Sequence, residues 1–122
     1  MSLPGWRDAV EVGTLLAETD IFLMPSTVEG LSVAAIEALK HGLALIGSDI
    51  GGLQDVIDDG VNGLRFPVGD AARFATSLRT LLGDPASVLR MKTASRAKVR
   101  QFDREKIAAQ YEQLLLAGSA RA

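Results

Sequence analysis

Three short apolar runs in this chain are unbroken rather than alternating: "DIFLMPS" (20–26), "LALIGSD" (43–49) and "NGLRFPV" (62–68). A strand with one face in water alternates apolar and polar residues, so a continuous run calls for burial on both faces. Between the runs lie stretches with helical rather than two-residue spacing. Strand, helix, strand, helix, strand predicts a parallel sheet covered by helices on both faces. Right-handed crossovers then set the three strands side by side. That is half of a doubly wound α/β sheet.

The flanking pattern is helical. Residues 8–18 place Val10, Leu15 and Leu16 on one side. Ser32 is placed to cap a helix from Val33 to Lys40 that Gly42 closes. Gly51-Gly52 is read as the stop of the second strand, and a short helix is expected over 53–58, ended by Asp59-Gly60. From Asp70 onward the pattern is wholly helical. Ala71, Phe74, Ala75, Leu78, Leu81 and Leu82 follow three-four spacing, and Gly83-Asp84-Pro85 ends that helix and starts another. This basic helix is expected to reach about Phe102. Asp103 would cap a last helix with Ile107, Tyr111, Leu114 and Leu115 on one face. The predicted class is therefore α/β, a Rossmann-like parallel sheet truncated to about three strands and followed by C-terminal helices.

A length of 122 residues fits one domain, and 48% apolar residues suffice for a core. No apolar run is long enough to span a membrane, and no basic-then-apolar leader opens the chain. Residues 1–3 (MSL) are set aside as an expression remnant. With no cysteine and one histidine, thiolate chemistry and a dedicated zinc site are not expected, and a cytoplasmic location is. The net charge of −2 conceals a division. Residues 1–70 carry eleven acids against Arg7, Lys40 and Arg65, whereas residues 71–122 carry ten bases against Asp84, Asp103, Glu105 and Glu112. The basic half has no pattern of stacking aromatics, so a nucleic-acid partner is not expected.

Ligands of open parallel sheets bind beyond the carboxyl ends of the strands. Two loops lie there: Ser26, Thr27, Glu29 and Gly30 after the first strand, and Ser48, Asp49, Gly51 and Gly52 after the second. Glycine lets a ligand approach the backbone. The amides of Leu31, Ser32 and Val33 open a helix, where unpaired N–H groups favour an anion. Glu37, one turn in, accepts hydrogen bonds only and so suits ligand hydroxyls. Plainer readings stand beside these: an ion pair of Glu37 with Lys40, a solvated Glu29, turn chemistry at Gly51-Gly52, and local caps at Ser26 and Thr27. His41 is read as a helix-end residue. Lys92, Arg96 and Arg100 form a solvated stripe, with contact to an anionic membrane surface as the other reading. A dinucleotide module is not supported, because no G-x-G-x-x-G follows any strand.

The stretch from Asp20 to Pro67 resembles the C-terminal domain of retaining GT-B glycosyltransferases of the family four type. Pro25, Ser26, Glu29, Gly30, Glu37, Ala38, Gly42, Gly51, Gly52, Asp59, Gly60, Asn62 and Gly63 fall on that family's pattern in order. The resemblance implies that Glu29 contacts and orients the donor sugar as the catalytic carboxylate. It implies that Glu37 accepts from the ribose hydroxyls of a nucleotide-sugar donor. Gly30, Leu31, Ser32 and Val33 would meet sugar and diphosphate, with Gly51 and Gly52 alongside. Retention at the anomeric carbon, without metal or other cofactor, is the implied chemistry.

The chain departs from the family at Leu31-Ser32, where Phe-Gly is common, at Gln54-Asp55, where Pro-Glu is frequent, and at Leu43-Ala44, which lacks a frequent proline. It also lacks the family's strands with the diphosphate-binding Arg and Lys, and the N-terminal acceptor domain. Residues 1–122 therefore read as a partial donor domain, inactive alone, with an unknown acceptor. The alternative is a non-catalytic assembly or regulatory module built on that fold. An edge left open along residues 21–26 predicts a homodimer.

Overall fold

The computed structural model describes residues 5–27, 30, 32–102, 108 and 112–116. Helix α1 (Ala9–Ala17) is followed by strand β1 (Ile21–Met24), helix α2 (Val33–Lys40) and strand β2 (Ala44–Ser48). Then come a single turn, α3 (Gly51–Gln54), strand β3 (Gly63–Phe66), and helices α4 (Ala71–Leu82) and α5 (Pro85–Lys98). A 3-10 turn, Val99–Gln101, ends the run, and residues 112–116 are helical. The sheet is parallel, in the order β1-β2-β3. The predicted strand sequence, side-by-side order and class all hold.

Central strand β2 is buried throughout. Its side chains alternate between two cores, as the pleat requires. Leu43, which leads into the strand, and Leu45 pack with Ile36, Leu39, Leu53 and Ile57 under α2 and α3. Ala44 and Ile46 pack with Phe66, Leu81 and Met91 under α4 and α5. Each fully buried leucine or isoleucine contributes roughly 2 kcal/mol relative to exposure. Strand β1 departs from the expectation of burial on both faces: Leu23 is 39% exposed. Among the described residues it is paired on one side only.

The helix ends follow their caps. Asp8 and Glu11 form a reciprocal capping box on α1. The Ser32 hydroxyl accepts from Ala35 N at 3.3 Å and donates to Met24 Sδ at 3.0 Å. Asp70 accepts from Arg73 N at 3.0 Å. Asp84 accepts from the Ser87 amide and, at 2.6 Å, from the Ser87 hydroxyl, with Pro85 in the first turn as expected. The Ser87 hydroxyl and then its amide hold the Asp84 carboxyl below the ordinary aspartate range, with Arg90 adding to the shift and desolvation opposing it. A lowered folded-state value means that this cap stabilises above the unfolded pKa and is lost as pH falls through the folded one. Carbon-detected NMR titration should show the Asp84 midpoint moving upward in Ser87→Ala.

One expectation is corrected. The helix expected over 53–58 runs instead from Gly51 to Gln54, so the glycine pair opens a helical turn rather than only ending the strand. Leu114 and Leu115, expected on one face of the last helix, lie in the helical residues 112–116, and both are more than half exposed. Asp103, Ile107 and Tyr111, like residues 1–3, lie outside the described residues.

Helix α5 is the tie between the layers. It crosses the amino end of the sheet, where Ser95 Oγ donates to Leu43 O at 2.6 Å and Lys92 Nζ to Asp20 at 2.7 Å. Met91 belongs to one core, while Val99 and Phe102 just beyond α5 pack on the other. Arg96 lies across Gly42, whose φ of +67° closes α2. Two of the three cations of the expected solvated stripe are thus engaged within the fold. Gly42→Ala would strain that backbone and drive its methyl group against Arg96 Nε and Cγ. It should cost about 1–2 kcal/mol in urea denaturation.

Candidate functional site

With α5 across the amino end, the carboxyl ends of the strands are where the loops of interest gather. A cleft of about 350 Å³ there is lined by Gly30 from the loop after β1 and by Gly51 and Gly52 from the start of α3. Asp55 and Val56 continue its floor, and Phe102, Gln113 and Leu114 form the far wall. Among the described residues, a Cβ built on Gly30 or Gly51 would meet nothing within 4 Å. Packing therefore does not require glycine at either position. The contrast is Gly47, where a Cβ would fall 2.8 Å from Ile57 Cδ1.

The remaining expected site residues are distributed differently. Ser32 is fully buried, and its hydroxyl serves the helix end. Val33 is 40% exposed at the first turn of α2 and does not line the cleft. Glu37 also stands outside it. Its carboxylate accepts from Lys40 Nζ at 3.0 Å on the solvent side of α2. That exposed pair is worth only about 0.2–0.5 kcal/mol, so it would yield readily to a competing donor. Glu29 and Leu31 lie outside the described residues.

A second cleft, of about 260 Å³, opens on the other face of the sheet between Pro25, Thr27, Ser48 and the start of α4. Phe66 and Phe74 line it, with ring centroids 5.0 Å apart at 51°.

Sequence reasoning missed a bonded group beside the Gly51-Gly52 turn. Asp49 Oδ1 accepts from Gln54 Nε2 at 3.0 Å and from Arg65 Nη1 at 2.8 Å. Arg65 N in turn donates to Asp59 Oδ1 at 2.8 Å. The partners in the Asp49–Arg65 ion pair are sixteen residues apart, and no local spacing signals them. Nor did the spacing show that Asp55 and Phe102 would line the cleft.

The motif after α3 proves to be structural. Asn62, wholly buried, accepts from Asp58 N at 2.7 Å and donates to Val56 O at 3.0 Å. Gly60 turns at φ +78°, and Gly63 sits against the Leu45 carbonyl. Lys98 Nζ, largely buried, donates to Asp58 Oδ2 at 2.9 Å and ties α5 to this turn.

A parallel α/β sheet with glycine loops gathered at its carboxyl end has the architecture of the doubly wound class, in which ligands bind beyond the carboxyl ends of the strands. The glycosyl transferases group 1 family matches residues 1–84, and the chain belongs to that family. It is 36% identical over 120 residues to the amylovoran biosynthesis glycosyltransferase AmsK of Erwinia amylovora, covering 93% of this chain and 29% of that protein. It is 33% identical over 114 residues to a glycogen synthase of Mycobacterium tuberculosis, covering 93% and 28% respectively. The chain thus spans less than a third of the length of these relatives. Among solved structures, sucrose-phosphate synthase from Thermosynechococcus elongatus superposes with a TM-score of 0.81 at 30% identity, over 99% of this chain and 31% of that one. Anabaena HepE in complex with UDP and glucose shares the fold, with a TM-score of 0.80 at 24% identity, over 95% and 32%. Among the described residues no helix is long and apolar enough to cross a membrane.

Proposed function

We propose that this chain is the donor-binding part of a glycosyltransferase that moves a sugar from a nucleotide diphosphate sugar to an acceptor with retention. The observation that carries this reading is the meeting of Gly30, Gly51 and Gly52 on one cleft, with glycine at Gly30 and Gly51 unexplained by packing. A residue without a side chain at these positions leaves the backbone open to close approach by a ligand. HepE, which shares the fold, has been captured with UDP-glucose, which supports a ligand of this kind.

In this reading Glu37 exchanges Lys40 for ribose hydroxyls, and Glu29 orients the donor sugar. The amides of Leu31, Ser32 and Val33 face sugar and diphosphate at the start of α2. The bond from anomeric carbon to diphosphate oxygen breaks, and the acceptor hydroxyl oxygen bonds to that carbon on the same face. Its proton leaves with the phosphate. Carboxylate and phosphate oxygens stabilise the positive charge that develops on the sugar. No metal takes part in this proposal, and the cytoplasm is the proposed location.

Amide NMR titration with UDP, GDP and their sugars tests it. Shifts should centre on residues 30–37 and 51–52 and be lost in Glu37→Ala. Unchanged spectra at millimolar concentrations of every nucleotide would reject donor binding by this chain and favour the assembly-module alternative.

A second reading, compatible with the first, rests on strand β1. Its outer edge is unpaired among the described residues, and a groove of about 340 Å³ beside it is lined by Ile21, Leu82, Val88 and Leu89. Leu82 and Leu89 are each more than 60% exposed. An open edge flanked by apolar side chains pairs readily with another chain, and a homodimer through β1 is the proposed form. Light scattering that finds only monomer up to high concentration would reject it.

A further inference from the structure

We infer that Arg65, acting through Asp49, is a positioning residue that sets the Gly51-Gly52 turn in the donor cleft; the inference rests on the donor-site reading above. Helix α3 is four residues long and its N-cap, Ile50, offers no side-chain hydrogen bond to the turn. So short a helix does not hold its own geometry, because nucleation costs more than one turn returns. The structure supplies the restraint from outside. Asp49 N donates to Phe66 O at 2.7 Å, which pins the end of β2 to β3. A single oxygen of the Asp49 carboxylate then receives Gln54 of α3 from one side and Arg65 of β3 from the other. Arg65 is itself fixed through its amide to Asp59. Asp59, Arg65, Asp49 and Gln54 thus form a chain of bonds that ends on the turn lining the cleft.

The guanidinium is committed to this task at a cost. Arg65 Nε is buried and has no hydrogen-bond partner among the described residues. A side chain serving only solubility would turn that nitrogen to water. Bonds between charged groups are the stronger kind, and one oxygen holding two donors fixes the angle of α3 as well as its distance. The amides of Gly51 and Gly52 thereby keep one orientation before a ligand arrives, which reduces the ordering cost of binding.

The test uses the 122-residue chain with Arg65→Met and Arg65→Lys, read by amide hydrogen exchange and by titration with UDP-glucose. In Arg65→Met, exchange at Leu53 and Gln54, whose amides bond to Ile50 O, should accelerate about two- to fivefold, as expected for losing a partly exposed ion pair. Exchange at Leu45 and Ile46 in β2 should not change. The UDP-glucose concentration for half-saturation should rise by about the same factor, with the shifts at Gly51 and Gly52 lost first. Arg65→Lys, which keeps a cationic donor toward Asp49, should recover most of both.

Unchanged exchange at Leu53 and Gln54 would overturn the inference. So would acceleration spread evenly through β2, which marks general loosening rather than loss of a local restraint. If the unsubstituted chain shows no shift with any nucleotide, the donor-site reading fails by itself. The exchange experiment still decides whether Arg65 holds the turn.

Discussion

Gly63→Ala should abolish the fold or leave it barely stable. Gly63 pairs with Leu45 in the register of β2 and β3, and a Cβ there would overlap the Leu45 carbonyl oxygen, with Ile57 Cγ2 3.1 Å away. The obstacle is backbone, so no rotamer change relieves it. Relief requires β3 to move away from β2, which breaks the parallel ladder and pulls Phe66 from the α4–α5 core. Overpacking in a responsive core costs about 1–3 kcal/mol, and against rigid backbone the cost should lie at or above the top of that range. A domain of this size has about 5–15 kcal/mol in total. The urea midpoint should collapse, or the chain should be recovered only as aggregate. Gly51→Ala is the control: it meets open space, and its stability should match the parent within about 0.5 kcal/mol.

Asn62→Ala should be the next most damaging change. The side-chain amide satisfies two backbone groups of the α3–β3 turn, Asp58 N and Val56 O, from a fully buried position. Removing it deprives both of their partner and leaves a cavity beside Val56 and Ile57. Each buried group left unpaired costs about 1–3 kcal/mol, so a loss of roughly 2–4 kcal/mol is expected by urea denaturation. Asn62→Asp should be no milder, because its carboxylate can accept from Asp58 N but faces the Val56 carbonyl with charge and no donor. Both changes should also loosen Asp58, and through it the bond from Lys98.

The contrast between these positions and the cleft glycines shows what the sequence could reveal. Strands and caps were legible because their causes are local. The continuous apolar runs required a buried sheet, and Ser32 and Asp70 lay where a helix needs an acceptor. The family pattern also drew attention to Asn62 and Gly63, but not to their work. Side-chain bonds to Val56 and Asp58, and contact with the Leu45 carbonyl, appear only once the strands are paired. The same holds for Arg65 and Asp49. Gly51-Gly52 misled for a different reason. The pair was read as the stop of the second strand, and it also opens a helical turn that glycine's low helix propensity does not signal. The Glu37–Lys40 pair was anticipated from spacing alone, whereas the cleft wall at Phe102 depends on the path of α5.

That path bears on how the domain comes apart. A sheet with separate helical layers could lose one layer and keep the other, as weakly coupled blocks that open at different free energies. Here the segment from Pro85 to Phe102 belongs to both layers, and it is stitched to the strand starts at Asp20 and Leu43. Neither face can be peeled away without dragging that segment off the other. Cleavage at the Gly83-Asp84 corner would therefore unzip both cores together, and the unit that evolution can graft or trade is the sheet with its crossing helix, not the strands alone.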